Sequence, residues 1–592
     1  MIKKLYKLGE HIPDKYFEKN SLGLNYKEQP KDTLIYFLCF KTSCKGEYEY
    51  KGIYYEEYDL ENNKQKKYLY KNAKGNAKSP FMTVFYEKNS LKDNCISLDT
   101  KSGKKIIEIL KINIKINPKL KGLSKILASK FVSDPLEINN NFILSIKVDG
   151  KYLGEWGEYK EIMDSYIKEQ FKCFYNKYSN TISKFESACC YICQSKDEVW
   201  GFVDTFKFYS ANEDSVIAGG FSKNDSWKNY PVCSACARKL EKYKGFLQDY
   251  LSFNFYGFNY FLIPEFVFDK KDNKEFINIL ISERGLLSFK NLYQTNKLED
   301  ELVDMLQDSN NNANYTLLFY EENNSEFKIK LSIDDVFPSR FSEIYKARQH
   351  AEDNSLFKNI KFKKNESPKG LKMKFGIIKH FFPASKIEGN FSSYFLEIVR
   401  SIFIGKKIDY DFVLDRIVSK LRNKFVKDER LSLDVLNVMM LIRFINYLGL
   451  WNKKEKIKER EVIMEGNKYT NFLKENEEFF NSNTKKAVFL EGVLCQKLMN
   501  WQLRERSSTP FRSKLNGLKL DEKYIKKLLP EIINKLEEYG KNYYKDLESI
   551  ISKYMLGAKF DMTNDEISFY FVMGMNLAKE FKNEKEIKEE EK

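Results

Sequence analysis

Two Cys-x-x-Cys pairs, Cys190-Tyr-Ile-Cys193 and Cys233-Ser-Ala-Cys236, constrain this chain more than any other feature. Each tight knuckle presents two thiolates to one side. Two knuckles together supply the four soft ligands of a closed tetrahedral site, the pattern of a structural Zn²⁺. The 39 residues between the pairs exceed the common ribbon spacing, so an inserted loop or hairpin must fill them. Cys189 adjoins the first knuckle, but its side chain leaves at a different angle. Buried thiols that merely cluster are the plainer alternative, and two such pairs among ten cysteines argue against it. Cys39, Cys44, Cys95, Cys173 and Cys495 read as packing residues. Ten cysteines in 592 residues are too few for a disulfide framework. The stretch MIKKLYKLGEHIPD has neither an apolar core nor a small-residue cleavage site, so it does not read as a signal peptide. The expected compartment is the reducing cytoplasm, where clustered cysteines bind metal.

Charge narrows the function. The formal net charge is +16, which favours a polyanionic partner. A membrane is not expected to be that partner, because the most apolar stretch, Val435 to Trp451, is broken by Arg443 and Asn446. Only three histidines occur, His11, His350 and His380. His350-Ala-Glu352 matches the H-x-E of zinc deaminases, but the P-C-x-x-C that should follow is absent. No phosphate-binding G-x-x-x-x-G-K-[ST] and no G-x-S-x-G occurs either. The chain is therefore expected to bind rather than catalyse. The alternatives are a zinc-containing nucleic-acid enzyme with carboxylates drawn from distant positions, such as Asp409, Asp411 and Asp415, or a purely structural bridging subunit.

Periodicity gives an α+β chain: a mixed, strand-rich N-terminal part with an inserted zinc-binding module, then an all-helical C-terminal bundle. Thr33 to Phe40, Tyr48 to Tyr58 and Asn141 to Val148 read as strands, the last entering a hairpin at Asp149-Gly150. Ile106 to Ile114 fits helix or strand, and Glu158 to Tyr178 has helical spacing. Phe253 to Phe268 is β-prone, Asn310 to Asn312 a loop tip, and Ala351 to Lys374 a connection. From about Tyr394 the 3.6-residue period takes over, with Leu490, Leu494, Leu498 and Trp501 on one face. Pro530 is placed to open a helix, Thr563-Asn-Asp-Glu566 to cap one, and Lys579 to Lys592 to fray. The expected divisions are a mixed domain over 1–185, the zinc-binding insertion over 186–245, further mixed structure over 246–385 and the helical bundle over 386–592.

Several segments together resemble the large subunit of the subtype I-B CRISPR Cascade complex. They are Ala188 to Cys193, Phe206 to Tyr209, Gly219 to Lys223, Trp227 to Cys236 and Tyr260 to Pro264. Leu5 to Gly9, Phe375 to Pro383, Phe489 to Cys495 and Ser508 to Leu518 agree in order and spacing. The resemblance implies a non-catalytic subunit of an RNA-guided DNA-binding complex for antiviral defence. Its partners would be a CRISPR RNA, target double-stranded DNA with its displaced single strand, the other Cascade subunits and a recruited helicase-nuclease. Base pairing would read the target, leaving this subunit to recognise a short protospacer-adjacent motif and aid duplex opening.

Two segments are candidate nucleic-acid contacts. In the loop between the knuckles, Lys223 and Lys228 can meet phosphates and Asn224 can reach base edges, although a solvated turn with Trp227 packed on the module also fits. The stretch Lys485 to Lys519 carries eight Lys or Arg against two Glu, and Lys485, Lys486, Arg504, Arg506, Arg512 and Lys514 are its candidate contacts. Lys453 to Arg460 mixes signs and reads as a solvated face. Met464 is a candidate internal start. Glu461-Val462 permits a ribosome-binding core before it, and a 129-residue product over 464–592 would follow, a small subunit of the kind the resembled family can make.

Overall fold

The computed structural model describes residues 2–13, 16, 33–44, 46–58, 67–70, 81–91, 93–128, 138, 140–170, 175–176, 181–203, 205–206, 215, 217, 220, 222–266, 273–278, 280–281, 313–323, 326–358, 360, 367–385, 389–453, 459, 462, 464 and 466–581. The expected loop tip at Asn310 to Asn312, the stretch 454–458 and the tail beyond 581 lie outside them. Two compact units form: residues 1–252 with 269–285 and 321–329, and residues 253–268 with 286–320 and 330–592. No helix among the described residues is long and apolar enough to cross a membrane.

The first unit opens with helix α1 (Ile2–Glu10). Its sheet contains β1 (Leu34–Thr42), β2 (Tyr48–Glu57), β3 (Val84–Tyr86), β4 (Phe142–Val148) and the short β5 (Lys151–Tyr152). The strand order is β2-β1-β4-β3, with β1 parallel to β4 and both edges antiparallel. Both faces of β1 are covered. Tyr36, Leu38 and Phe40 enter the main core, while Ile35 and Phe37 meet Tyr68 and Tyr70 on the other side. A strand buried on both faces needs an unbroken apolar run, as its sequence shows. The ambiguous Ile106 to Ile114 lies in helix α2 (Lys101–Ile116), started by Thr100, whose hydroxyl accepts the Gly103 N–H at 3.1 Å. Helix α3 (Lys121–Ala128) follows. Helix α4 (Lys160–Gln170) is shorter than the spacing over Glu158 to Tyr178 predicts, because Tyr175-Asn176 pairs as a strand with Thr181-Ile182.

A small three-stranded sheet of β6 (Lys184–Cys189), β7 (Lys196–Trp200) and β8 (Val232–Cys233) then leads into helix α5 (Ser234–Tyr250). This is the module that carries the cysteine pairs.

The second unit contains the aromatic sheet of β9 (Ser252–Phe255), β10 (Phe258–Phe266), β11 (Ala313–Asn323) and β12 (Glu326–Val336), apart from the strand residues assigned to the first unit. Helices α6 (Pro338–Glu352), α7 (Phe375–Phe381), α8 (Ser392–Ile404), α9 (Tyr410–Val426) and α10 (Ser432–Tyr447) follow. The rest is α11 (Lys468–Glu475), α12 (Asn483–Arg506), a 3-10 segment (Pro510–Leu518), α13 (Glu522–Glu538), α14 (Lys545–Leu556) and α15 (Asn564–Leu577).

Three expectations need correction here. Strand pairing does not vanish after Tyr394, since Ile408-Asp409 pairs in parallel with Trp451-Asn452. Pro530 does not open a helix but lies inside α13, which Asp521 caps instead. It sits on the exposed face, where the carbonyl it leaves unpartnered can meet water. The stretch from Thr484 is not one-faced either: every residue of α12 from Ala487 to Cys495 is buried. An apolar helix in a bundle centre has no solvent side to keep polar. Helix α12 meets α15 so closely that a Cβ on Gly492 would stand 2.1 Å from the Phe571 carbonyl oxygen, and one on Gly574 1.9 Å from that of Phe489. Only glycine permits that approach.

Candidate metal centre and nucleic-acid contacts

The four predicted sulfurs converge. Cys190, Cys193, Cys233 and Cys236 bring their Sγ atoms within 4.8 Å of one another, and Cys193 and Cys233 stand 3.9 Å apart. An ion bound by four thiolates at about 2.3 Å in tetrahedral geometry requires sulfur–sulfur edges of about 3.8 Å. The donor set therefore fits one ion with small adjustment. Among the described residues no other group of histidine, cysteine or carboxylate side chains gathers in this way.

Local backbone builds the site. At the first knuckle the Cys190 N–H donates to the Ser195 carbonyl at 2.8 Å and the Gln194 N–H to the Cys190 carbonyl at 2.9 Å. Gln194 takes a left-handed φ of 61° to close this turn. At the second knuckle the Cys233 N–H points at Cys190 Sγ, 3.4 Å away. Cys233 also precedes the first residue of α5 and Cys236 lies in its first turn, where the helix dipole favours negative sulfur. Three of the thiols are buried and Cys193 is exposed. Burial pushes the Cys193 thiol up, but hydrogen bonds from Ser195 and then from Cys236 and Cys190 outweigh it and bring it down to about 6. Burial, above all, pushes Cys233 and Cys236 up. One thiolate thus forms readily and is ringed by thiol donors, an arrangement that a cation binding all four would replace. Cys189 stays out. Successive residues of β6 face opposite sides, and the Cys189 thiol approaches the Gln194 carbonyl at 3.3 Å.

Sequence reading missed what braces the centre. The Tyr6 hydroxyl of α1 shares a hydrogen bond with Cys236, and burial followed by that bond pushes Tyr6 up. Lys239 donates to the same hydroxyl at 3.1 Å. A Cβ on Gly9 would overlap the Tyr243 ring at 2.0 Å, so glycine lets α1 lie against α5. Lys3 sits 4.4 Å from the centre of the Tyr191 ring inside the first knuckle. The only sequence signal was the pairing of a short aromatic helix with a glycine.

The candidate nucleic-acid residues separate by burial. Lys223, Asn224 and Lys228 lie on a 3-10 turn over Lys223–Lys228. Lys228 pairs with Asp225 at 3.0 Å, and the Asn224 carbonyl accepts the Ser183 hydroxyl at 2.7 Å. Trp227 stacks on Phe185 with ring centres 4.5 Å apart, so the packed-turn alternative describes Trp227. The Asn224 side chain is exposed.

In the second unit the basic stretch does not form one surface. Lys485 is 4% exposed and its ammonium lies 3.5 Å from Glu566. Burial pulls that ammonium down against the raising influence of Glu566. Lys485 is therefore a structural ion, and this corrects its assignment as a contact. Arg512 is tied down as well. Its guanidinium donates to the Phe425 carbonyl at 2.6 Å, lies 3.8 Å from the Phe425 ring centre and stands 3.2 Å from Asp428. Lys486 is half-buried over the Tyr554 ring. Arg504, Arg506 and Lys514 are exposed at one end of α12 and in the segment after it, with Arg506 4.9 Å from the Tyr539 ring centre. Met464 is half-buried, just before α11.

The carboxylates weighed for an enzyme do not gather. Asp409 caps α9 by accepting the Phe412 N–H at 2.8 Å, and Asp411 and Asp415 are exposed. Nor do His350 and Glu352 form a site. The His350 ring lies against Tyr447, while Glu352 holds Lys372 and the Met373 N–H.

Comparison with known proteins then gives three consecutive matches. The N-terminal, central and C-terminal domains described for CRISPR-associated protein TM1802 match residues 1–165, 187–336 and 373–589. No curated protein matches the chain.

Proposed function

The chain belongs to the family of CRISPR-associated protein TM1802, and from that premise we propose that it is the non-catalytic large subunit of a type I-B RNA-guided DNA surveillance complex. In this reading it contacts the CRISPR RNA and the other Cascade subunits, recognises the protospacer-adjacent motif in the duplex, aids opening, steadies the displaced strand and recruits a helicase-nuclease. The observation that carries the reading is the unbroken order of three family domains along a chain of net charge +16. The exposed Arg504, Arg506 and Lys514 are the phosphate contacts we favour, together with Lys223 and Lys228 beside Asn224.

We read the ion of the cysteine centre as zinc. Four cysteine ligands make a closed structural site, which holds a fold and supplies no open position for chemistry. Met464 remains the proposed internal start. The helices after it are not self-sufficient in packing, since Arg422 of α9 pairs with Asp565 at 2.8 Å and reaches the Ser568 hydroxyl at 3.2 Å. A separate 464–592 product would expose that face of α15 unless a partner covered it.

The test uses the full chain assembled with guide RNA and the other subunits. It is titrated with target duplexes that differ only in the short adjacent motif. Affinity that depends on the motif and falls steeply with salt is expected. Equal affinity for every motif removes the recognition role. Strand cleavage by the chain alone with Mg²⁺ favours the enzyme instead.

A further inference from the structure

The second unit holds a cavity of about 580 Å³ that neither the metal centre nor the basic helix end uses. Its wall is built around one buried carboxylate. Asp434, on α10, is 6% exposed and takes His380 Nε2 at 2.9 Å and Lys424 Nζ at 2.5 Å. Burial pushes this carboxyl up, but the two partners outweigh it and keep it below its ordinary range. An ionised carboxylate only accepts, so His380 donates to it through Nε2. Asp434 thus fixes two basic side chains in the cavity wall while its own charge is satisfied.

Two further lysines line the same cavity from the segment before α7. The Lys372 side chain is 65% exposed and pairs with Glu352 at 2.6 Å. Lys374 has no ion-pair partner among the described residues. An aromatic ring completes the wall. Tyr256 lies so close over Gly376 that a Cβ there would stand 2.7 Å from its Cε1. Its backbone is left-handed, at φ 49°, and the turn is held by the Gly257 N–H donating to Asn254 Oδ1 at 2.9 Å and by the Lys379 ammonium on the Tyr256 carbonyl.

Asp434, the acidic residue among those lining the cavity, is already satisfied, and Lys372 keeps its pair with Glu352 at the exposed edge, so Lys374 and Lys372 stand beside a positioned ring in a volume within the ~300–1,000 Å³ of small-ligand pockets. We propose that this cavity binds a nucleotide, with its phosphate on Lys372 and Lys374 and its base against the Tyr256 ring. The shared chemistry has two sources, a nucleotide within a single strand or a free mononucleotide. The strand source rests on the nucleic-acid function proposed above.

The full chain is titrated with adenosine 5′-monophosphate and, separately, with a short 5′-phosphorylated single strand. Binding is followed by calorimetry, and acylation of Lys374 is read by mass spectrometry with and without each ligand. Protection of Lys374 is expected from at least one of them, and Lys374→Glu is expected to weaken binding of that ligand about tenfold or more. Protection by the mononucleotide assigns a free ligand, and protection by the strand alone assigns a flipped-out or terminal nucleotide. Equal labelling of Lys374 in every sample overturns the site, and that readout needs no variant to fold. If the wild-type chain binds the strand and loses it on Arg504→Glu with Arg506→Glu but not on Lys374→Glu, the cavity assignment fails while the proposed function stands. If the assembled complex shows no motif dependence yet the mononucleotide protects Lys374, the function fails and the cavity stands.

Discussion

The metal module has strands of six, five and two residues, and most of β6 faces solvent. Helix α12 of the second unit, by contrast, spans 24 residues and is buried throughout its middle. A sheet that small has too little apolar surface to offset the entropy of ordering its chain, and on the proposed zinc reading the four sulfurs make up the difference. The bundle spreads the same task over backbone contact at Gly492 and Gly574 and over one enclosed ion pair. On the proposed zinc reading, order in the first case depends on a ligand and on pH through thiol deprotonation. In the second it depends on shape.

Chelation gives the sharpest contrast. Stripping the ion is expected to unfold residues 184–250 and release α1, while α12 and α15 stay protected from hydrogen exchange. Structural zinc contributes on the order of 10 kcal/mol to small modules. Equal protection of both regions before and after chelation breaks the comparison. The next largest effect falls on the ion pair. Lys485→Ala leaves Glu566 buried without its cation and is expected to cost about 3–5 kcal/mol in denaturant unfolding, whereas replacing both by apolar residues is expected to recover most of it. Gly492→Ala drives a Cβ into backbone that has no rotamer to yield, and a loss of about 1–3 kcal/mol is expected.

Glu491 sharpens the pH side. Both its carboxylate oxygens are buried without a hydrogen-bond partner among the described residues, and burial pushes its carboxyl well above the ordinary range. The folded chain then holds a proton that the unfolded chain releases. This contribution to stability is present below the unfolded pKa and is lost as pH rises towards the folded one, at up to about 1.4 kcal/mol per pH unit. Glu491→Gln is expected to flatten the melting temperature against pH and to raise it at neutral pH. The smallest expected change in stability, within about 0.5 kcal/mol, is for the exposed Arg506→Ala. Its readout is instead a shallower salt dependence of nucleic-acid binding, by about one unit of slope.

What was legible in the sequence was local. A knuckle brings two cysteines together within four residues, so the cluster of Cys190, Cys193, Cys233 and Cys236 follows from spacing. The double-sided burial of β1 shows as an uninterrupted apolar run, and Thr563 as a cap accepts the Glu566 N–H at 3.2 Å. The capping reading of Glu566 fell short, because its carboxylate lies beside Lys485. A lysine drawn inward by a distant glutamate is spelled like one in water, and Lys485 was therefore misread. Arg512 was equally opaque, since its partners, Phe425 near the end of α9 and Asp428 just beyond it, lie 84 or more residues earlier in the chain. Pro530 misled because a proline at a first turn and one on the solvent-facing side of a helix interior look alike in sequence. The His380, Asp434 and Lys424 cluster joins three helices and left no spacing to read.

The contact between α1 and α5 sets an order of events during synthesis. Tyr6 leaves the ribosome 233 residues before Lys239, which donates to it. At roughly 5–20 residues per second the amphipathic turn around Leu5 and Leu8 waits about 10–50 seconds for its docking site. During that interval it offers an apolar face to chaperones or to neighbouring chains, and on the proposed zinc reading the supply of metal to the nascent module governs how long the window stays open.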